Sequence, residues 1–414
     1  MKVVGLIAEY NPFHNGHFYH IQKAREITGA DAVLVVMSGN YVQRGTPAIM
    51  PKHLRARMAL LSGASAVIEL PVPYATGSAE YFATGAVSLL NQLGCIHSIC
   101  FGSECGNIDI LTQTARIIEK EPDEYKKSLH TFLREGLPFP AARQHALNTY
   151  LNTYLGADYP AAVLEQPNNI LGIEYLKALY QSDSTIKAYT IRRMESGYHD
   201  KDLSEQYSSA SAIRSQFENS NFIFSRLEEQ LPASSMQILK DTYGVRYPVH
   251  ANDFSLLLKQ KLLLENKNTL TQYLDVTKDI AHRIIRLLND YKSFEQFCGL
   301  LKTKDMTYTR ISRCLLHILL GITKNDMETY RATGACQYAH ILGFREDSTE
   351  LLSLLKKHSR IPLLTKLTQT DTLTDVGTQM LRQDIYASDL YESVVTDKYQ
   401  TPFINEYKQQ VIKV

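Results

Sequence analysis

His14 and His17 stand three residues apart in the stretch Ala8-Glu9-Tyr10-Asn11-Pro12-Phe13-His14-Asn15-Gly16-His17. That spacing puts both imidazoles on one side of a first helical turn. A helix start offers unpaired N–H groups and the positive end of the helix dipole, a ready site for phosphate. Gly16 lets the backbone approach a ligand without a Cβ in the way. Two imidazoles there can donate hydrogen bonds to phosphate oxygens and to charge that develops as a leaving group departs. The competing reading is that His14 and His17 only cap the helix or fill a polar turn.

Other segments carry residues of similar use. Ser208-Ser209-Ala210-Ser211-Ala212-Ile213-Arg214 offers hydroxyls and helix N–H groups to phosphates, with Arg214 adding a charge-assisted contact. Alone, it reads as an ordinary N-cap. The segment SGNYVQRG (38–45) brings Asn40, Gln43 and Arg44, which suit a carboxylate or a phosphate, against the alternative of a polar surface loop. Lys52, His53, Arg55 and Arg57 precede an apolar helix face and read as a solvated or structural face, against a catalytic role. Of the six cysteines, Cys95, Cys100 and Cys105 are five apart, but no CxxC pair occurs. They read as buried or idle cytosolic thiols, against a redox or metal role for the 95–105 cluster, and no acidic triplet or zinc spacing specifies a metal site.

The elements that must position these groups follow from hydrophobic pattern. VVGLIA (3–8), AVLVVM (32–37), AVIEL (66–70) and HSICFG (97–102) are short apolar runs suited to buried strands. Helical segments at 17–28, 52–63 and 78–93 alternate with them, which predicts a parallel Rossmann-like α/β sheet with right-handed crossovers. Each carboxyl-end turn then lies on one edge, where ligands of open parallel sheets sit. Gly102 ends a strand at that edge and leaves room for an adenine or ribose. Helices follow from about 107 to 180, then a strand at 186–191 and a helix at 211–218. Segments 252–265, 278–291, 308–321 and 347–357 carry helical spacing, and strand signals are scarce there. The expectation is a catalytic domain at 1–225 followed by a mainly helical domain at 226–414.

Composition bounds the alternatives. The 414 residues are 44% hydrophobic and 21% charged, enough for packed cores, and the formal net charge is +1. Any nucleic-acid surface must therefore be local. No run approaches the roughly 18 apolar residues of a membrane span. The N-terminus shows no signal-peptide pattern, so a cytoplasmic protein is expected.

The pattern HxGH resembles that of the HxGH nucleotidyltransferases and class I aminoacyl-tRNA synthetases, and SSASAIR is similar to the ISSTxIR-like segment of the former. GLIAEYNPFHNGHFYH, SGNYVQRG, FGSECG, PNNILGIEYLKAL and RRMESGYHD together resemble the bacterial tRNA(Met) cytidine acetate ligase family along the whole chain. That resemblance implies ATP-driven activation of acetate as acetyl-adenylate. The acetyl group then passes to N4 of the wobble cytidine, position 34, of elongator tRNA(Met). It implies that His14, His17, Ser209 and Arg214 stabilise the reacting charge. It also assigns to ATP the stretch Ile7, Ala8, Glu9, Tyr10, Asn11, Pro12, Phe13, His14, Asn15, Gly16, His17, Phe18, Tyr19 and His20, with Gly102, Asn168 and Arg193. Asn40, Gln43 and Arg44 are assigned to the acid or phosphate. Mg²⁺ is expected with ATP, held mainly by phosphates and water. A small-molecule adenylyltransferase is the alternative enzyme, and a nucleotide-binding RNA adaptor the non-enzymatic one. In the helical half, Lys302, Lys304, Arg310 and Arg313 near Tyr308 suit RNA phosphates and base stacking, against a plain solvated helix face.

Overall fold

The computed structural model describes every residue except 138, 155–162, 194–207, 219–221, 305 and 369. Among the described residues ten strands are formed: β1 (Val3–Ala8), β2 (Ala32–Ser38), β3 (Tyr41–Val42), β4 (Thr46–Pro47), β5 (Ala66–Leu70), β6 (Ser98–Ser103), β7 (Lys187–Arg192), β8 (Ala339–Phe344), β9 (Leu363–Leu364) and β10 (Ile412–Lys413). Eight of them build one sheet in the order β10-β8-β5-β2-β1-β6-β7, with β9 also on β8, while β3 and β4 form a separate hairpin.

β1, β2, β5, β6 and β7 are parallel, as their alternation with helices requires. All seven residues of β2 are buried because layers cover both faces of the sheet. Leu34 and Val36 enter one core, and Val33, Val35 and Met37 enter the other. Each such side chain contributes about 1.5–3 kcal/mol of burial. From β1 the chain steps to β2 on one side and later to β6 on the other. The carboxyl ends of β1 and β6 therefore flank the point where strand order reverses, and a crevice opens there. Helix α1 (Asn15–Thr28) leaves this point and ends at Gly29 in the left-handed conformation, φ 60°.

The second half is mainly helical, but the expected scarcity of strands needs correction. β8, β9 and β10 all come from it, and β8 pairs antiparallel with β5 of the first half. AHILGF is an apolar run too short for its pattern to separate strand from buried helix, and β9 and β10 have two residues each. The longest helix, Asp375–Tyr399, also escaped the pattern, because its 25 residues mix buried and polar positions without a clean stripe. The main core cluster holds residues from both sides of 225, from Val3 to Ile186 and from Val249 to Val395.

Candidate active site

The turn after β1 aims the two histidines. His14 is the N-cap of α1, and its Nδ1 accepts the Gly16 N–H at 3.1 Å. The His14 N–H in turn donates to His17 Nδ1 at 3.3 Å. Capping therefore does occur, but it uses only one nitrogen of each ring. A neutral ring whose Nδ1 accepts carries its hydrogen on Nε2, so both rings keep an Nε2–H donor. Gly16 is required for a local reason: a Cβ there would lie 2.9 Å from His14 Cε1. The two ring centroids are 3.8 Å apart, and Tyr10 and Phe13 pack against His17 at 4.8 and 5.6 Å. Tyr10 itself holds φ at 47°, a costly conformation for a non-glycine residue that the surrounding packing enforces.

Burial and neighbouring cations favour the neutral form of these rings. Burial, then the Arg193 and Arg214 guanidiniums, lower the His14 pKa to about 3. Burial, then His14 and Arg193, hold His17 well below its ordinary value. Burial and then Arg193 bring His20 to about 4. At neutral pH these rings are uncharged hydrogen-bond donors beside a cationic Arg193.

The crevice over them encloses about 950 Å³ including its open mouth. Ile7 and Ala8 from the end of β1, His14, Gly16, His17, Tyr19 and His20 from α1, Gly102 from β6, and Asn168 and Arg193 all line it. Gly102 makes room for Arg193, whose Cγ would lie 3.1 Å from an added Cβ. Sequence reasoning did not single out Phe101, Leu171, Tyr175 and Ile191, which form the apolar wall. Asn168, Leu171 and Tyr175 lie three and seven residues apart on the helix Pro167–Gln181, so helical spacing from Asn168 was the available signal.

Other expected residues lie elsewhere. Glu9, Tyr10, Asn11, Pro12, Phe13, Asn15 and Phe18 are not in the lining. Glu9 Oε1 accepts the Gln43 N–H, and Asn11 Oδ1 accepts the Ile49 N–H, so both shape the turn. Asn15 binds the Glu229 carbonyl, and Phe18 packs into the core. Ser209 caps the helix Ala210–Gln216 by accepting the Ala212 N–H, whereas its neighbour Ser208 lines the crevice. Arg214 donates to the Asn11 carbonyl at 2.6 Å and thus braces the histidine turn. Asn40, Gln43 and Arg44 are also outside the lining, and Asn40 Oδ1 receives the Lys52 N–H at the start of helix α2 (Lys52–Leu61). In the motif RRMESGYHD, residues 194–200 lie outside the described residues.

Lys52 and Arg55 are structural, and fully buried. Arg55 bonds the carbonyls of Glu9, Ser38, Gly39 and Met50, which ties α2 to the carboxyl ends of β1 and β2. Lys52 Nζ lies 2.7 Å from both Glu69 and Glu406. Among the described residues, Glu69, His340 and Glu406 are the one group with metal-ligand spacing, and the Lys52 ammonium already occupies the cation's place between the two carboxylates.

Residues 1–406 match the family model for the HIGH nucleotidyl transferases. A tRNA(Met) cytidine acetate ligase of Clostridium perfringens is 42% identical, over 94% of this chain and 95% of that protein. The chain belongs to this ligase family of the HIGH nucleotidyl transferases. It is accordingly an enzyme, as the motifs implied. The corresponding ligase of Clostridium tetani is 38% identical over the full length of both. The crystal structure of Thermotoga maritima TmcAL, apo, aligns over all of both chains with a TM-score of 0.92 at 33% identity. The same protein bound with alpha-thio ATP aligns over both chains at 0.90 and 32%. Among the described residues no helix is long and apolar enough to cross a membrane.

Proposed function

We propose that this chain activates acetate with ATP in the crevice at the ends of β1, β6 and β7, then transfers the acetyl group to N4 of the wobble cytidine of elongator tRNA(Met). The observation that carries the reading is the pair of neutral, Nε2-donating imidazoles at the α1 start, at a strand-order switch point beside Arg193. Two family resemblances support it. Relatives covering nearly all of the chain are named for this activity, and a full-length structural neighbour was solved with an ATP analogue.

In the first step a carboxylate oxygen of acetate attacks the α-phosphorus. The bond to the bridging oxygen breaks and pyrophosphate leaves. His14 and His17 donate to phosphate oxygens through their Nε2–H groups. Arg193 supplies the fixed positive charge, and Phe101, Leu171 and Tyr175 offer an apolar wall for the base. In the second step the cytosine amine attacks the acyl carbonyl, loses a proton, and AMP departs. The described lining of the crevice holds no carboxylate, which fits an Mg²⁺ held by phosphates and water.

We assign the ATP chemistry to residues 1–225 and tRNA contact to the helical part of 226–414. Lys302 and Lys304 are exposed there and adjoin a groove in which Lys267, Arg283 and Arg286 outnumber one carboxylate, Asp279, beside His282, Ile285, Thr303 and Met306. The direct test is pyrophosphate release from ATP. Acetate should support it without acetyl-CoA, and labelled acetate should enter tRNA(Met). A reaction that needed acetyl-CoA and ignored acetate would refute the reading.

A further inference from the structure

Two residues placed in the nucleotide crevice, Asn168 and Arg193, depend on a third that does not line it. Glu104 follows β6 directly. Its Oε1 accepts the Asn168 N–H at 3.2 Å and the Asn168 side-chain Nδ2–H at 2.6 Å. Its Oε2 accepts the Asn169 N–H at 2.8 Å. Asn169 answers: its Oδ1 accepts the N–H groups of Glu104 and Cys105 at 3.0 and 3.1 Å. Five hydrogen bonds thus lock one turn to the first residues of the helix Pro167–Gln181. That helix has no capping bond from its own N-cap side chain, Gln166, so Glu104 satisfies its second and third N–H groups from another element. The carboxylate also complements the positive end of that helix.

The arrangement has a consequence for binding. An amide side chain has one donor end and one acceptor end. Glu104 is acceptor-only when ionised, so it captures the Asn168 NH₂ and turns Oδ1 the other way. Asn168 Oδ1 in turn lies 3.4 Å from Arg193 Nη1. We infer that Glu104 is a positioning residue for nucleotide binding: it fixes the Asn168 amide orientation and, through it, the Arg193 guanidinium over the crevice. The inference rests on the proposed use of this crevice for ATP.

The test is ATP binding by calorimetry on the full-length chain, with KM for ATP and the saturated rate from acetate-dependent pyrophosphate exchange. Glu104→Ala should raise Kd and KM for ATP by about tenfold, the factor set by about 1.4 kcal/mol, and leave the saturated rate within about threefold. Glu104→Gln keeps one acceptor and presents an NH₂ to groups that donate, so it should show a smaller loss of the same kind, and it serves where the alanine variant does not fold. Asn107→Ala is the control for stability. Asn107 caps the next helix, Ile108–Lys120, by accepting the Asp109 and Ile110 N–H groups, and it is not in the crevice lining. It should lower the melting temperature and leave KM for ATP unchanged. Unaltered ATP affinity in Glu104→Ala and Glu104→Gln, or an equal loss in Asn107→Ala, overturns the inference. A wild-type chain that does not bind ATP overturns instead the assignment of the crevice on which it rests.

Discussion

Each imidazole at the start of α1 spends one nitrogen on the backbone and keeps the other as a donor. His17→Ala removes one donor to developing charge and should cost about 10²–10³ in adenylate formation. Folding should survive, because His17 stands at a half-open crevice rather than in a core. Acetate-dependent pyrophosphate exchange at full rate in that variant would refute the role. The lowered His14 pKa also makes a prediction about stability. The unfolded chain takes up its proton near 6.5 and the folded chain only near 3. The His14 contribution is therefore fully present above about 6.5 and is lost as pH falls toward 3. Asp384 works in the opposite sense. Burial, then Glu69, raises it from 3.8 to about 7, so its contribution is present at low pH and is lost as pH rises through about 7. Comparison of wild type with His14→Gln isolates the first effect: urea unfolding should show the difference in stability shifting toward the variant from pH 7 to pH 4. A pH-independent difference would mean that His14 is not held neutral by the fold.

Elements were legible where local pattern decides them. The strands of the parallel sheet, α1 and its start at the histidines are all written in short apolar runs, helical spacing and a Gly stop. What was not legible depends on partners far along the chain. β8 is recognisable only beside β5, and Lys52 reads as a surface cation until Glu69 and Glu406 are seen around it, 17 and 354 residues away in sequence. The same holds for the site. HxGH announced the histidines, and the capping by Ser209 was one of the two readings of its segment, but the bracing of the histidine turn by Arg214 appears only in three dimensions. Lys52 gives this scale its own prediction. Its side chain is 1% exposed and it joins α2 and β5 to the C-terminal segment. Lys52→Met leaves two buried carboxylates without their cation and should cost about 3–5 kcal/mol. Denaturant unfolding measures it directly. A loss below about 1 kcal/mol, the range of an exposed pair, would show that water reaches the cluster.

At the scale of the whole molecule the two halves share one sheet, yet they present different chemistry. The crevice belongs to β1, β6 and β7, and the cationic surface to the helices beyond residue 260. With a net charge of +1, the tRNA contact we propose has to rest on a local surface such as this one. The structure separates the cations that sequence alone had grouped. Arg313 is engaged with Asp275 at 3.2 Å, and Arg310 is half-buried, whereas Lys302 and Lys304 are exposed. A cation already paired within the protein, as the Arg313 guanidinium is, releases few counterions from RNA, but an exposed one that meets a phosphate releases about 0.9 per contact. Lys302→Ala combined with Lys304→Ala should therefore weaken tRNA(Met) binding and flatten the slope of log affinity against log salt by about one to two. Arg313→Ala should act mainly on stability, by loss of its partner for Asp275. Acetyl-adenylate formation without tRNA should be untouched in all three, because the crevice lining contains none of these residues. Titration of tRNA(Met) at several salt concentrations decides the matter: an unchanged slope in the double lysine variant would mean that these side chains only solvate the helical surface and that the RNA docks elsewhere.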